Sequence, residues 1–188
     1  MSCRFFRDIG MERAEERTEV PAFTEFADRV FPGLEKGGFH AAYYQVLEAF
    51  ARGRIRRLMV TIPPQHGKSL GATTLLPAYM LGLDPDLKIA IASYSAALAN
   101  RFNKRVQRIM DSALYRALFP GTSIKRAGER SDYVRTADMA EVIGCSGELL
   151  SVGREGSLTG NRVDVFILDD LYKDAMEANS PLIRENCW

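Results

Sequence analysis

Two short segments, roughly 100 residues apart, each demand a place in one β-sheet, and together they limit this 188-residue chain to an α/β arrangement. The first, Leu58-Met-Val-Thr-Ile-Pro-Pro-Gln-His-Gly-Lys-Ser69, reads as an apolar strand, a tight loop ending Gly67-Lys68-Ser69, and then a helix. The second, Val163-Asp-Val-Phe-Ile-Leu-Asp-Asp170, reads as a buried strand that delivers two carboxylates at its C-terminal end. A loop that runs from a strand into a helix N-terminus gathers backbone N–H groups suited to phosphate, and a lysine there adds positive charge. Two acids at a strand end supply a place for magnesium and a group that can hold an attacking water. The pair predicts a P-loop NTPase domain of the ASCE type, with a mainly parallel sheet flanked by helices, that hydrolyses ATP.

The rest of the chain is read around these two anchors. Residues 1–38 form a polar lead-in, charged from Glu12 to Glu19, with one short helix between Ala22 and Phe31. Residues 39–188 form the domain itself. Tyr43, Val46, Leu47 and Phe50 recur at helical spacing between Phe39 and Arg52, and Gly53 ends that helix. Leu58 to Ile62 is the first core strand, and Ser69 opens a helix to about Leu83. Lys88 to Ser93 is a second buried strand. Ser95 caps a helix that runs to about Leu118, with Leu98, Phe102, Val106, Ile109 and Met110 on its apolar stripe. Ala140–Cys145 and Glu148–Gly153 make a hairpin, and a glycine-rich stretch from Gly153 to Gly160 leads into the Asp-Asp strand. A further helix begins at Asp174.

Composition excludes some classes and leaves others open. An apolar share of 46% and a charged share of 26% describe an ordinary globular chain. No apolar run approaches the roughly 20 residues that a bilayer requires. Cys3, Cys145 and Cys187 lie far apart in sequence, which argues against a disulfide framework or zinc site and for a reducing compartment. The net charge of +1 says nothing about nucleic acid; only local clusters could, and there are two. Arg101, Lys104, Arg105 and Arg108 share one helical face, and Arg52, Arg54, Arg56 and Arg57 gather before the first strand. Either could meet backbone phosphates or simply face water.

Specific roles follow from residue chemistry. Lys68 would hold the β- and γ-phosphates, the Ser69 hydroxyl would serve as a magnesium ligand, and Gly67 lets the backbone approach. Gln65 and His66 border the γ-phosphate. Asp169 takes the metal and Asp170 orients or deprotonates water. The strict GxxxxGK[ST] pattern fails, since Ile62 stands where its first glycine belongs. A solvated strand–helix turn and two solvated acids remain the bland alternatives.

With these residues in place the chain resembles the N-terminal ATPase domain of a tailed-phage terminase large subunit. The likeness rests on four stretches: Glu48-Ala-Phe-Ala-Arg-Gly53 with the lysine loop, Ile91-Ala-Ser-Tyr-Ser95 with its helix and Tyr115-Arg-Ala-Leu-Phe-Pro120, Ser151-Val-Gly-Arg-Glu-Gly-Ser-Leu-Thr-Gly160, and the Asp-Asp strand. The resemblance implies ATP and Mg2+ as cofactors and double-stranded DNA as the track. It further implies the small terminase subunit and the portal protein as partners, a homo-oligomeric ring, and the host cytoplasm as the location. It places an adenine-sensing segment at Tyr44-Gln45 with His40 nearby, where a Gln amide can both donate to and accept from the base edge. Relatives often carry an arginine inside the lysine loop. Here Pro64-Gln65 stands there, which leaves Arg154 or Arg162 to neutralise charge, on this subunit or a neighbour's site. The family's coupling strand, remaining ATPase strands and nuclease domain would follow the Asp-Asp strand and are not in this sequence. The coupling strand belongs between the lysine-loop and Asp-Asp strands, so the chain alone is expected to leave open edges and to be poorly stable. Two other readings stand beside this one: another DNA-dependent ATPase of the superfamily-2 helicase kind, and an inactive fragment that at most binds nucleotide.

Overall fold

The computed structural model describes residues 20–34, 37–126, 128–158 and 160–186. The charged stretch from Glu12 to Glu19 lies outside them. At the centre is β1 (Lys88–Ser93), whose alternating Ile and Ala side chains are buried on both faces. Such a strand must be paired on both sides and covered above and below. It pairs in parallel with β3 (Glu148–Gly153) and with β4 (Val165–Leu168), while β2 (Met139–Glu141) runs antiparallel to β3. The sheet order is β2-β3-β1-β4, and helices flank it. Ile89 sits level with Leu149 on one side and Val165 on the other, which fixes the register that brings the C-terminal ends together.

Ser95 caps α4 (Ala96–Asp111) as expected, its hydroxyl accepting from the Leu98 N–H at 3.3 Å. The helix packs on β1 and β3 through Phe102, Val106, Ile109 and Met110. It does not reach Leu118. Ser112 takes extended backbone angles and caps a separate helix α5 (Ala113–Leu118), accepting from Tyr115 N–H at 3.1 Å. A serine hydroxyl competing for a free N–H is what ends one helix and starts the next. Asn103 and Gln107 are also buried on α4. The Asn103 amide donates to the Asp138 carbonyl, Gln107 donates to Asn103 and to the Thr136 carbonyl, and Arg135 closes the chain of bonds onto Asp111. This network ties the irregular stretch before β2 to the helix.

The second core region is aromatic. Helix α1 (Phe23–Val30), α2 (Gly38–Ala51), α3 (Leu76–Leu83) and α5 with its C-cap bring together Phe23, Phe26, Tyr44, Tyr79, Tyr115 and Phe119. Phe23 and Tyr79 meet edge-on at 5.2 Å between centroids, a geometry worth about 1 kcal/mol beyond the area buried. Two of the tyrosine hydroxyls are satisfied inside it: Tyr79 donates to the Pro21 carbonyl and Tyr115 to that of Ala78, both at 2.8 Å. The short helix of the lead-in therefore contributes to the core.

Three expectations are corrected. Leu58 to Ile62 is not a strand: the segment joins no ladder among the described residues, and Met59 is 91% exposed. A strand exists only through its neighbours, and among the described residues β4 presents an unpaired outer edge across a cleft of about 440 Å³ from this segment. Leu58, Val60, Phe166 and Leu168 line that cleft. The helix after the lysine loop begins with a π-helical turn (Leu70–Leu75) before continuing as α3. Finally, Cys145 is disulfide-bonded. Separation in sequence does not keep thiols apart in space. The last helical stretch is broken at Ser180 into α6 (Ala175–Asn179) and α7 (Pro181–Asn186).

Candidate functional site

The lysine loop approaches the C-terminal end of β4, and the two sequence anchors meet there. The Lys68 ammonium lies 3.2 Å from Asp169 Oδ1 and 3.1 Å from Asp170 Oδ1. Partial burial opposes the charge on Lys68, but the two carboxylates outweigh it and hold the ammonium pKa above the usual lysine value. The ion pair spans more than 100 residues of sequence and closes the site.

Asp169 and Asp170 differ sharply. Asp169 is 4% exposed, and its second oxygen accepts from the Thr73 hydroxyl at 2.9 Å. Its backbone N–H donates to the Ala92 carbonyl at 3.0 Å, which carries the β1 ladder one residue beyond β4. The Asp170 side chain is 56% exposed, and its backbone turns into the left-handed region at φ 49°. That turn aims its carbonyl back at the Tyr94 N–H, 2.9 Å away, and leaves its carboxylate at the mouth of the site. Aspartate is among the few residues that tolerate this conformation.

The loop itself is held from the α2 side. His40 Nδ1 accepts from the Gly37 N–H at 2.8 Å, and its Nε2 lies 3.2 Å from the His66 carbonyl. His66 folds back on the Pro64 carbonyl through Nδ1 at 2.7 Å. Gln65 has φ 63° and Gly67 φ 78°, so the loop turns through two left-handed residues. Only the second is a glycine. A cavity of about 400 Å³ opens beside Ile62, Gln65, Gly67, Lys68, Ser69 and Asp170.

The remaining candidates fall elsewhere. Gln45 is exposed on α2, whereas Tyr44 beside it is 1% exposed within the aromatic core. Arg154 donates to the Leu171 carbonyl and to Glu177 at 2.7 Å, so it braces the segment that follows the two acids. Arg162 is 79% exposed and pairs with Asp164, at the opposite end of β4 from Asp169 and about 17 Å away by strand rise. Arg101, Lys104, Arg105 and Arg108 are all exposed on α4. Two residues at the site were not anticipated: Thr73, which bonds Asp169, and Tyr43, which donates to the Lys68 carbonyl at 2.7 Å. The clue to both was the run Leu70-Gly-Ala-Thr-Thr74, a poor helix sequence placed where a helix must start.

The donor set suits a hard divalent cation. Asp169 and Asp170 already converge on one positive group, and the Ser69 hydroxyl lies in the adjoining first turn. Among the described residues no three His, Cys, Asp or Glu side chains cluster, and magnesium asks for only one or two carboxylates when phosphate oxygens complete its shell. Among the described residues no helix is long and apolar enough to cross a membrane.

These features define a class: an α/β domain whose mixed four-stranded sheet presents a lysine loop to paired carboxylates at a strand end. Comparison with family models identifies the particular family. The model for the N-terminal part of T4-like-virus-type terminase large subunits matches residues 59–188, and the chain belongs to that family. Membership points to a role in phage DNA packaging. Neither a comparison with curated proteins nor one with solved structures gave a match.

Proposed function

We propose that this chain is the ATP-hydrolysing domain of a phage DNA-packaging motor, built as a P-loop NTPase. The observation that carries the reading is the placement of Lys68 between Asp169 and Asp170. In the nucleotide-bound site Lys68 and the backbone of Gln65, His66 and Gly67 hold the phosphates of ATP, and Ser69 and Asp169 hold Mg2+. Bound magnesium would neutralise phosphate charge and fix the phosphate geometry. Asp170, exposed at the mouth, orients the attacking water and accepts its proton. Thr73 keeps the Asp169 carboxylate turned inward.

Lys68 must let go of both acids to reach a phosphate, so nucleotide competes with an internal ion pair. His40 supports the loop through His66, and Gln45, on the same helix, is the proposed adenine contact. Arg162, being exposed, is the better placed of the two arginines to reach a neighbouring subunit, since Arg154 is engaged by Glu177 within its own chain. Double-stranded DNA would run along the basic face of α4. The portal protein, the small terminase subunit and a ring of like chains complete the assembly.

The test is ATP turnover by the purified chain, with and without double-stranded DNA, beside Lys68→Ala and Asp170→Asn. Turnover that both substitutions abolish supports the reading. Equal rates for all three proteins would remove hydrolysis from this chain. Nucleotide binding without turnover would assign it to the inactive-fragment alternative, and DNA unwinding would assign it to the helicase-like one.

A further inference from the structure

The backbone turn that presents Asp170 is held from outside the site, and its far support is a largely buried arginine. Arg154 follows β3 directly and Asp170 lies just past β4, so the two leave the sheet on either side of β1. The end of β1 bonds them both: the Ser93 carbonyl accepts from the Arg154 N–H at 2.8 Å, and the Tyr94 N–H donates to the Asp170 carbonyl at 2.9 Å. Gly153 makes the exit of Arg154 so tight that a Cβ there would lie 2.6 Å from the Ala96 nitrogen. From that fixed base the Arg154 side chain, 13% exposed, crosses to the segment beyond Asp170. One nitrogen, Nη1, donates to the Leu171 carbonyl at 3.1 Å and to Glu177 Oε2 at 2.7 Å. The same Glu177 oxygen accepts from the Lys173 N–H at 3.0 Å. The bond from Arg154, with that from Lys173, holds the Glu177 carboxyl below the usual glutamate range, so the pair stays charged at neutral pH.

Asp170 needs such support. Its φ of 49° is a conformation that residues with a side chain disfavour and keep only where surrounding bonds impose it. Tyr94 fixes the carbonyl of Asp170 and Arg154 fixes that of Leu171, so the peptide units beyond the acid are pinned in succession. A third hold, Lys68 on Asp170 Oδ1, is temporary: in the function proposed above, on which this step rests, Lys68 leaves both acids for the phosphates. We propose that Arg154, clipped by Glu177, is a positioning residue for Asp170, keeping its carboxylate at the mouth of the site once Lys68 has let go. It acts through the backbone alone. Without it the chain beyond Asp170 relaxes toward negative φ, and the carboxylate swings away from the water it orients. Nucleotide affinity is untouched, since Lys68, Ser69 and Asp169 keep their places.

The experiment compares Arg154→Met, Arg154→Lys and Glu177→Gln with the parent chain. ATP turnover gives kcat and KM, a fluorescent ATP analogue with Mg2+ gives affinity, and hydrogen exchange read by NMR follows the Tyr94 and Asp169 amides. Arg154→Met should lower kcat by about 10- to 100-fold, the scale on which small misplacements act, with affinity within about twofold of the parent. Arg154→Lys should recover most of that loss, because both acceptors meet at one nitrogen and an ammonium carries several donors. Glu177→Gln, which keeps the shape of the clip and removes its charge, should fall between the parent and Arg154→Met. The Tyr94 amide should exchange about tenfold faster in Arg154→Met, while the Asp169 amide, bonded to Ala92 ahead of the turn, keeps its rate. A kcat within twofold of the parent in Arg154→Met overturns the proposal. So does loss of affinity together with rate in the Met and Lys variants alike, the mark of a merely structural residue. Should Arg154→Met fail to fold, Glu177→Gln decides by the same split of kcat from affinity. If the parent itself turns over no ATP, the functional reading fails, and hydrogen exchange decides the brace. Faster exchange at Tyr94 in Arg154→Met then supports it, and an unchanged rate overturns it.

Discussion

Replacing Thr73 by valine keeps the side chain's shape and helix propensity while deleting one hydroxyl, and its neighbour Thr74 provides the matched control. Thr73 is 1% exposed and donates at 2.9 Å to the Asp169 carboxylate, itself 4% exposed. Thr74 is equally buried, yet among the described residues its hydroxyl has no hydrogen-bond partner. Losing a hydrogen bond to a buried charge costs about 2 kcal/mol, because the acceptor oxygen is left unsatisfied. Deleting a hydroxyl that is already unsatisfied removes a desolvation penalty and should stabilise by about 1 kcal/mol. The same substitution at adjacent positions should therefore act with opposite signs, a spread of about 3 kcal/mol. Urea unfolding followed by far-UV circular dichroism reads both. In a chain of this size Thr73→Val should also lower the melting temperature by roughly 4–8 °C. If both variants move in the same direction, or Thr73→Val stays within about 0.5 kcal/mol of the parent, the assigned bond from Thr73 to Asp169 is wrong.

Asn103→Leu should lower stability by about 2 kcal/mol, since the Asp138 carbonyl and the Gln107 amide both lose a buried partner; an unchanged urea midpoint would show the network to be dispensable. Burial raises the hydroxyl pKa values of Tyr43, Tyr44, Tyr79 and Tyr115 above the ordinary tyrosine value. The native state thus keeps protons that the unfolded chain releases. Their contribution is whole below about pH 10 and falls as pH climbs past it, so the urea midpoint should drop between about pH 9 and pH 11. Phe166→Lys, on the open edge of β4 where Phe166 is 49% exposed, should reduce light scattering on concentration while leaving the melt nearly unchanged; equal scattering would place self-association elsewhere. If α4 tracks DNA, replacing Arg101, Lys104, Arg105 and Arg108 with glutamine should flatten the plot of log affinity against log salt by up to about 0.9 for each phosphate no longer neutralised, and an unaltered slope would move DNA off this face.

What could be read from sequence was what local pattern determines. β1 is a short apolar run because it lies inside the sheet, whereas β4 carries a similar run at the sheet's edge, where Phe166 and Leu168 stay half-exposed, and Ser95 announces α4 because its side chain meets the N–H of a residue three positions on. The meeting of Lys68 with Asp169 and Asp170 was legible because the lysine loop and the strand ending in two acids each carry a recognisable local pattern, although the strand expected to lead into the loop does not form. Leu58 to Ile62 is as short and apolar as β1, but strand formation requires a neighbour, and no local pattern reports one. The π-helical turn was not announced either, and Gly71 looks like a misplaced helix residue until the Tyr43 ring is set against it. Ser112 was a visible cap that the longer apolar stripe of α4 concealed.

The strand that bears the two acids is also the least secured strand of the parallel core. β4 is four residues long and, among the described residues, is paired on one side only, to Ile89–Ala92 of β1. Opening such an element requires breaking one short ladder, whereas opening β1 requires breaking two. Local opening of β4 should accordingly occur at lower free energy than global unfolding, and each opening carries Asp169 and Asp170 away from Lys68. The site should therefore come apart more readily than the core, by release of a single strand edge. Warming, or a denaturant too dilute to melt the aromatic core, should dismantle the site while the rest of the fold stands.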